Sequence, residues 1–389
     1  MDPNFTVAVI GTVILLGVFL TAISKKTGWP LALVLMIIGL FVGPILHIFD
    51  VSEFQGAVQS FAILALILVL FDTGYDIKLS KIKQSILEST GLALIGVLST
   101  LFVVFLIGRY ILHLDFYLAL LFGALLASTD LTIIRPIMQN MKIKQSVKDA
   151  LDIEATLNSV FAAVLAIVFG MMVTSGSSLG EALTRGVLYH IIIGVAMGLM
   201  LGWILLKGIH HLPSEDMPAI VTIGAVLVVY SVTELIGASG VIAALIVGLL
   251  YGNVKPAPPK FVMLFGENLQ MILVTFVYIL LGAMITFDAF TGSALVVIAL
   301  VTAVILVRYF AVKFLTLNTT QLAQRVIGIA GPRGIISAIL ILGYASYFPD
   351  PKLIIGLGFA VILCTSLIVF LLPIIEDRTN PRKKANLRI

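Results

Sequence analysis

Charge is scarce in this chain. Asp, Glu, Lys and Arg make up 11% of its 389 residues, where an ordinary soluble domain carries about 25%. A water-facing surface over most of the length is therefore excluded, and with it a soluble enzyme, a nucleic-acid binder and a disordered segment. Cysteine is nearly absent. Cys364 is the only one, so no intramolecular disulfide can form. The five histidines show no metal-binding spacing, and neither a His-Glu-x-x-His pattern nor a nucleophile elbow occurs. No Gly-x-x-x-x-Gly-Lys-Ser/Thr loop is present, which excludes ATP as a driving force. The chain is expected to be no enzyme and to hold no cofactor.

Apolar residues fill the space that charge leaves. They make up 60% of the chain, and the mean hydropathy is +1.16. A membrane-crossing helix needs about 20 apolar residues, and the runs between charged or Pro/Gly-rich breaks predict about 13 transmembrane helices. The expected fold is an all-α polytopic membrane protein, one transmembrane domain over 1–389. Its fifth span is expected over 116–138, its sixth over 147–173, a short ninth over 238–252 and its twelfth over 322–346. The apolar run from Phe5 to Ile23 reads as the first span, since no basic stretch precedes it.

The basic residues orient these spans. Eighteen of the 24 Lys and Arg fall in one set of alternating loops and the C-terminal tail, and three in the opposite set. Arg135, Arg308 and Arg333 are left within spans. Basic loops stay cytoplasmic, so the N-terminus is expected outside a cell membrane and the C-terminus inside.

A charge near the bilayer centre costs about 3 kcal/mol or more and must face a partner or a watery cavity. Asp130 stands out because Ser128, Thr129 and Thr132 surround it with small polar groups, and Pro136 removes the N–H that Thr132 would accept from. Such a segment can unwind at mid-membrane where it lines a cavity. In the sixth span Glu154 and Asn158 share one helix face and Ser159 lies on the adjacent row. Gly331-Pro332-Arg333-Gly334 breaks the twelfth span as the fifth is broken. Asp72, Glu267 and Arg308, near span ends, are accessory candidates; Asp72 and Glu234 also suit a headgroup position. The two broken spans each sit in the middle of a three-span group, helices 4–6 and helices 11–13, and four spans separate the groups. That parity gives inverted repeats with two broken crossing helices, a sequence pointer to a transporter site.

Thr129-Asp130 in a broken fifth span, Glu154-x-x-x-Asn158 in the sixth and Gly331-Pro332-Arg333-Gly334 in the twelfth together resemble the monovalent cation/proton antiporters, and among them the NhaP-type sodium/proton antiporters. The likeness extends to Ala238-Ser239-Gly240 and Leu280-Leu281-Gly282-Ala283. It implies that Asp130 carries the ion or the proton, with Thr129, Asn158 and Ser159 beside it as oxygen ligands for Na+ or another monovalent cation. It implies a structural ion pair between Glu154 and Arg333. It also implies a homodimer in membrane lipid, with the helices near 86–173 and 290–375 as the ion-transporting core and those near 4–74 and 182–286 including the dimer platform. A C-terminal regulatory domain absent from this chain is a further partner of the family. The sequence departs from the family at Ser159, where relatives carry a second aspartate, at Leu131, where a proline is common, and at Arg135, where an apolar residue is usual.

The function expected is exchange of Na+, K+ or Li+ for H+. Two alternatives stay open at this point. A sodium-coupled organic-anion symporter on a related inverted-repeat fold would need extra donors, for which Arg135 and Arg308 are available. An intramembrane protease would need two facing central aspartates, and Asp130 is the central one.

Overall fold

The computed structural model describes residues 3–27, 29–47, 55–79, 86–130, 145–175, 188–209, 217–254, 260–285, 293–315 and 331–379. Among them run thirteen α-helices: α1 (Pro3–Thr27), α2 (Leu31–Leu40), α3 (Gln55–Asp76), α4 (Ile86–Tyr110), α5 (Phe116–Leu125), α6 (Gln145–Ser175), α7 (Leu188–Ile209), α8 (Met217–Leu235), α9 (Gly240–Asn253), α10 (Lys260–Ala283), α11 (Ala294–Leu315), α12 (Ile335–Tyr344) and α13 (Pro351–Thr379). Nine are long and apolar enough to cross a membrane, and the shorter ones are α2, α5, α9 and α12. Among the described residues the fold is an all-helical polytopic bundle, as the hydropathy predicts. Each short helix has a local cause. α2 runs into a π-helical turn, Phe41–Ile45, around Pro44, whose missing N–H breaks the regular ladder. α5 and α12 are the half-helices of the broken spans. Within the expected fifth span the described helix ends at Leu125, and within the expected twelfth a described helix begins at Ile335 after the non-helical Gly331–Gly334. Leu131, Thr132, Arg135 and Pro136, and the stretch 316–330, lie outside the described residues.

Two packing neighbourhoods carry these elements. α4 packs on α5, α6 and α11, and α13 on α11 and α12. α9 packs on α3 and α7, and α10 on α2 and α3. The α3–α9 contact is close enough to need glycine. A Cβ at Gly248 would strike the carbonyl of Phe71, and one at Gly252 that of Tyr75. Small residues four apart let two helix backbones approach where lipid gives no hydrophobic drive. α12 touches both neighbourhoods, packing on α3 and α10 as well as on α13.

The half-helix α5 lies in the protein interior. Leu121, Phe122, Leu125 and Leu126 are fully buried, and so are Ala127, Ser128 and Thr129. Irregular backbone at membrane depth needs such cover, because lipid offers no hydrogen bonds to its N–H and C=O groups.

Candidate functional site

The site begins with two chain breaks that satisfy each other. The segment after α5, Leu126–Asp130, crosses the segment before α12, Gly331–Gly334, and the Asp130 N–H donates to the Pro332 carbonyl at 2.9 Å. The Arg333 guanidinium donates to the Ala127 carbonyl at 2.6 Å, to the Ser128 carbonyl at 3.2 Å and to Thr100 Oγ1 on α4 at 3.1 Å. The Arg333 N–H donates to Thr365 Oγ1 on α13. A cation thus sits at the C-terminal end of α5, where helix carbonyls lack partners.

The reverse holds at α12. The first helical N–H, that of Ile335, donates to Asp130 Oδ2 at 3.0 Å. A carboxylate at a helix N-terminus is in its favourable field. Tyr278 on α10 donates its hydroxyl to the same oxygen at 3.3 Å. The sequence reading missed Tyr278. Its one signal was a tyrosine in the apolar run Phe276–Leu281, because a buried phenol needs an acceptor; the run does not say which. Gly334 leaves room for the carboxylate, since a Cβ there would collide with it.

α6 supplies the next layer. Ser159 Oγ donates to the Thr129 carbonyl at 3.1 Å and lies 3.2 Å from Ser128 Oγ. The Asn158 side-chain amide donates to Thr129 Oγ1 at 3.0 Å and to Glu154 Oε1 at 3.1 Å. Its carbonyl oxygen, Oδ1, finds no partner among the described residues. Thr129, Asp130, Asn158 and Ser159 are all buried and in one place, with Asp130 6% and Ser159 7% exposed.

The expected pair of Glu154 with Arg333 is corrected by the structure. Glu154 pairs with Arg308 on α11, whose NH1 and NH2 donate to Oε1 and Oε2 at 2.5 and 2.7 Å. The physical reason lies in where each guanidinium is spent. Arg333 is turned onto the α5 carbonyls, while the fork of Arg308 matches both carboxylate oxygens. Both partners are buried, and Gly96 on α4 borders them.

A cavity of about 100 Å³ reaches Asp130, bounded by Asp72, Thr73 and Asp76 of α3, Thr156 and Ser159 of α6, and Gln270 of α10 among others. It has room for a few water molecules. Asp72 therefore faces the same space as Asp130. Glu267 does not; it lies with Asp72 and Gln270 on a smaller adjoining hollow. The arrangement is the Asp130 carboxylate at the inner end of a hollow whose wall also carries Asp72 and Asp76, with hydroxyl and carbonyl oxygens beside it. Hard monovalent cations take such oxygen ligands, and a carboxylate can hold a proton in their place.

The chain is similar to known proteins over most of its length. The family model for the transmembrane region of sodium/hydrogen exchangers matches residues 12–374. The chain is 27% identical over 369 residues to a K(+)/H(+) antiporter NhaP of Alkalimonas amylolytica, covering 92% of this chain and 64% of that protein. It is 25% identical over 374 residues to a Na(+)/H(+) antiporter NhaG of Bacillus atrophaeus, covering 90% and 70%. The chain spans a little under two thirds of the length of the NhaP relative. The structure of the sodium proton antiporter MjNhaP1 from Methanocaldococcus jannaschii at pH 8 superposes with a TM-score of 0.82 at 22% identity, covering 95% of this chain and 99% of that one. The fold is the same.

Proposed function

The chain belongs to the sodium/hydrogen exchanger family, and from that premise we propose that it is a secondary active antiporter, exchanging a monovalent cation for H+ by alternating access at Asp130. The observation that carries this reading is the Asp130 carboxylate at the crossing of two broken helices, reached by a cavity from one end of the bundle. Cation and proton compete for that one carboxylate. Thr129, Asn158, Ser159 and water complete the oxygen shell, with Ser159 giving a neutral oxygen instead of a second negative charge. Na+, K+ and Li+ are the candidate cations. The relatives named for K+ and for Na+ support the class and leave the choice to measurement.

In this reading α4–α6 and α11–α13 form the transporting core, and α1–α3 with α7–α10 include the static platform. The two packing neighbourhoods support that division. The excess of Lys and Arg on one side supports a cell-membrane protein with the N-terminus outside and the C-terminus cytoplasmic. The Asp130 cavity then opens to the cytoplasm, since it is reached past Asp72 and Asp76 at the end of α3, next to the basic loop. An organic-anion symporter finds less support: Arg308 NH1 and NH2 go to Glu154, and the hollow is small.

The test is a proteoliposome with an internal pH dye, challenged in turn with sodium, lithium and potassium gradients. At least one cation is expected to drive proton movement; protein-free rates with all three would reject antiport. In the same assay Gly334→Ala is expected to lose exchange, because the new Cβ pushes the Asp130 carboxylate off the Ile335 N–H. Normal exchange in that variant would mean that this contact is not needed.

The platform reading predicts a homodimer. α1 and α7 are the least buried of the nine long helices, with 11% and 17% of their spans buried. They present Leu15, Phe19, Met200 and Trp203 outward. Light scattering with detergent subtraction is expected to give twice the chain mass of 41.8 kDa. A monomer that still transports would remove the platform from the mechanism.

A further inference from the structure

The Asp130 carboxylate is held by two kinds of partner. The Asp130 N–H donates to the Pro332 carbonyl, and the Ile335 N–H donates to Oδ2 at 3.0 Å. Those groups belong to the broken segments and to α12, so they travel with Asp130. The other partner does not. The Tyr278 hydroxyl, on α10, donates to the same Oδ2 at 3.3 Å, and Tyr278 does not line the hollow that reaches Asp130. The phenol is buried.

The chain around Tyr278 is fastened to the platform. Phe276, two residues before it, stacks on Phe61 of α3 with ring centroids 5.0 Å apart and planes 9° from parallel. After it, α10 lies directly on α2. A Cβ at Gly39 would strike the Ile279 carbonyl, and one at Gly282 the Met36 carbonyl. Backbones in such contact form a close-packed unit that leaves little room to slide. α10 therefore stays with α2 and α3, and the hydrogen bond from Tyr278 to Asp130 joins that unit to the ion-carrying carboxylate.

The strength of this bond depends on what Asp130 carries. A hydrogen bond to an ionised acceptor is about twice as strong as one to a neutral acceptor. A carboxylate oxygen has about two lone-pair sites, and on Oδ2 the Ile335 N–H and the Tyr278 O–H take them. A proton or a cation on the carboxylate cancels or offsets its charge. The phenol then holds a loaded Asp130 less firmly than an empty one. Such a difference is needed, because the Ile335 N–H goes with the carboxylate and lowers the cost of moving it bare. Desolvation is then only part of the barrier to an empty crossing.

We propose that the Tyr278 hydroxyl ties the empty, charged carboxylate to the platform, so that the core crosses only when Asp130 is loaded. This rests on the antiporter reading and adds the residue that keeps the exchange coupled. When the empty core is held back, a cation that leaves must be replaced by a proton before the core returns. Tyr278 is a positioning residue, acting on the ion through Asp130. A contact made to one state and weakened in another shifts the balance between them by its own difference in free energy.

Tyr278→Phe keeps the buried ring and leaves Asp130 the Ile335 N–H. Radioactive cation flux and proton flux are read side by side in proteoliposomes, with the cation that the parent exchanges and with thiocyanate as a permeant anion to dissipate charge. The parent is expected to keep a fixed ratio of cation to proton. In Tyr278→Phe the ratio is expected to rise about tenfold, which corresponds to about 1.4 kcal/mol less hold on the empty state. A ratio at the parent value, or two fluxes that fall together as a purely structural loss would make them, would overturn the proposal. A second measurement keeps the hydroxyl. With 3-fluorotyrosine placed at position 278, the fluorine resonance of the detergent-purified protein is expected to shift when that cation saturates it, and not to shift when Asp130→Asn is also present. An unmoved resonance in the otherwise parental protein would overturn the proposal whatever Tyr278→Phe does. A parent that exchanges no cation would reject the antiporter reading, and the tie with it; a parent that exchanges while Tyr278→Phe stays coupled rejects the tie alone.

Discussion

Asp130→Asn is expected to reduce cation-driven proton movement to the leak of protein-free vesicles while leaving the fold intact. The side-chain oxygen of asparagine can still accept from the Ile335 N–H and from the Tyr278 hydroxyl, as Asp130 Oδ2 does. What is lost is the negative charge at the N-terminus of α12, worth at most about 2 kcal/mol in a buried setting. That is too little to unfold a bundle of thirteen helices. It removes both a titrating group and the charge that holds a cation, so exchange stops for either ion. Thermal melting near the parent together with absent exchange is the expected pair of results. Retained exchange would displace Asp130 from the centre of the account.

The other large effect concerns the Glu154–Arg308 pair. Neither charge is exposed beyond 3%, so removing one partner strands the other in a medium that solvates it poorly. The cost of such a break is about 3–5 kcal/mol, whereas neutralising both partners is often tolerated. Glu154→Gln and Arg308→Gln are each expected to lower the melting temperature and the yield in detergent, and the double variant to recover much of the loss. The combination of Glu154→Gln with Arg333→Gln is expected to be worse than either, because it also frees the carbonyls of Ala127 and Ser128 at the end of α5. Equal recovery in both double variants would contradict the assignment of Arg308 as the partner.

The difference between those two pairings marks the limit of what the chain reveals before it is folded. Apolar runs and their breaks are local, so the helix order, the short α9 and the two interrupted spans can be read directly. The motifs around Asp130, Asn158 and Ser159 are local as well. An ion pair between residues 154 positions apart is not. Arg308 and Arg333 both fall within apolar spans of the sequence, and only the crossing of the breaks turns Arg333 toward the α5 carbonyls. Tyr278 is hidden for a similar reason: its hydroxyl meets Asp130 across 148 positions of chain.

The central claim is that one carboxylate binds either a proton or a cation. It is tested most directly by proton release. Purified protein in weakly buffered detergent solution, with a pH dye, is titrated with sodium, potassium and lithium salts. The account predicts that the transported cation displaces protons from the parent, that the yield saturates as the site fills, and that Asp130→Asn releases none. Cation binding without proton release in the parent, or equal release from Asp130→Asn, would contradict it.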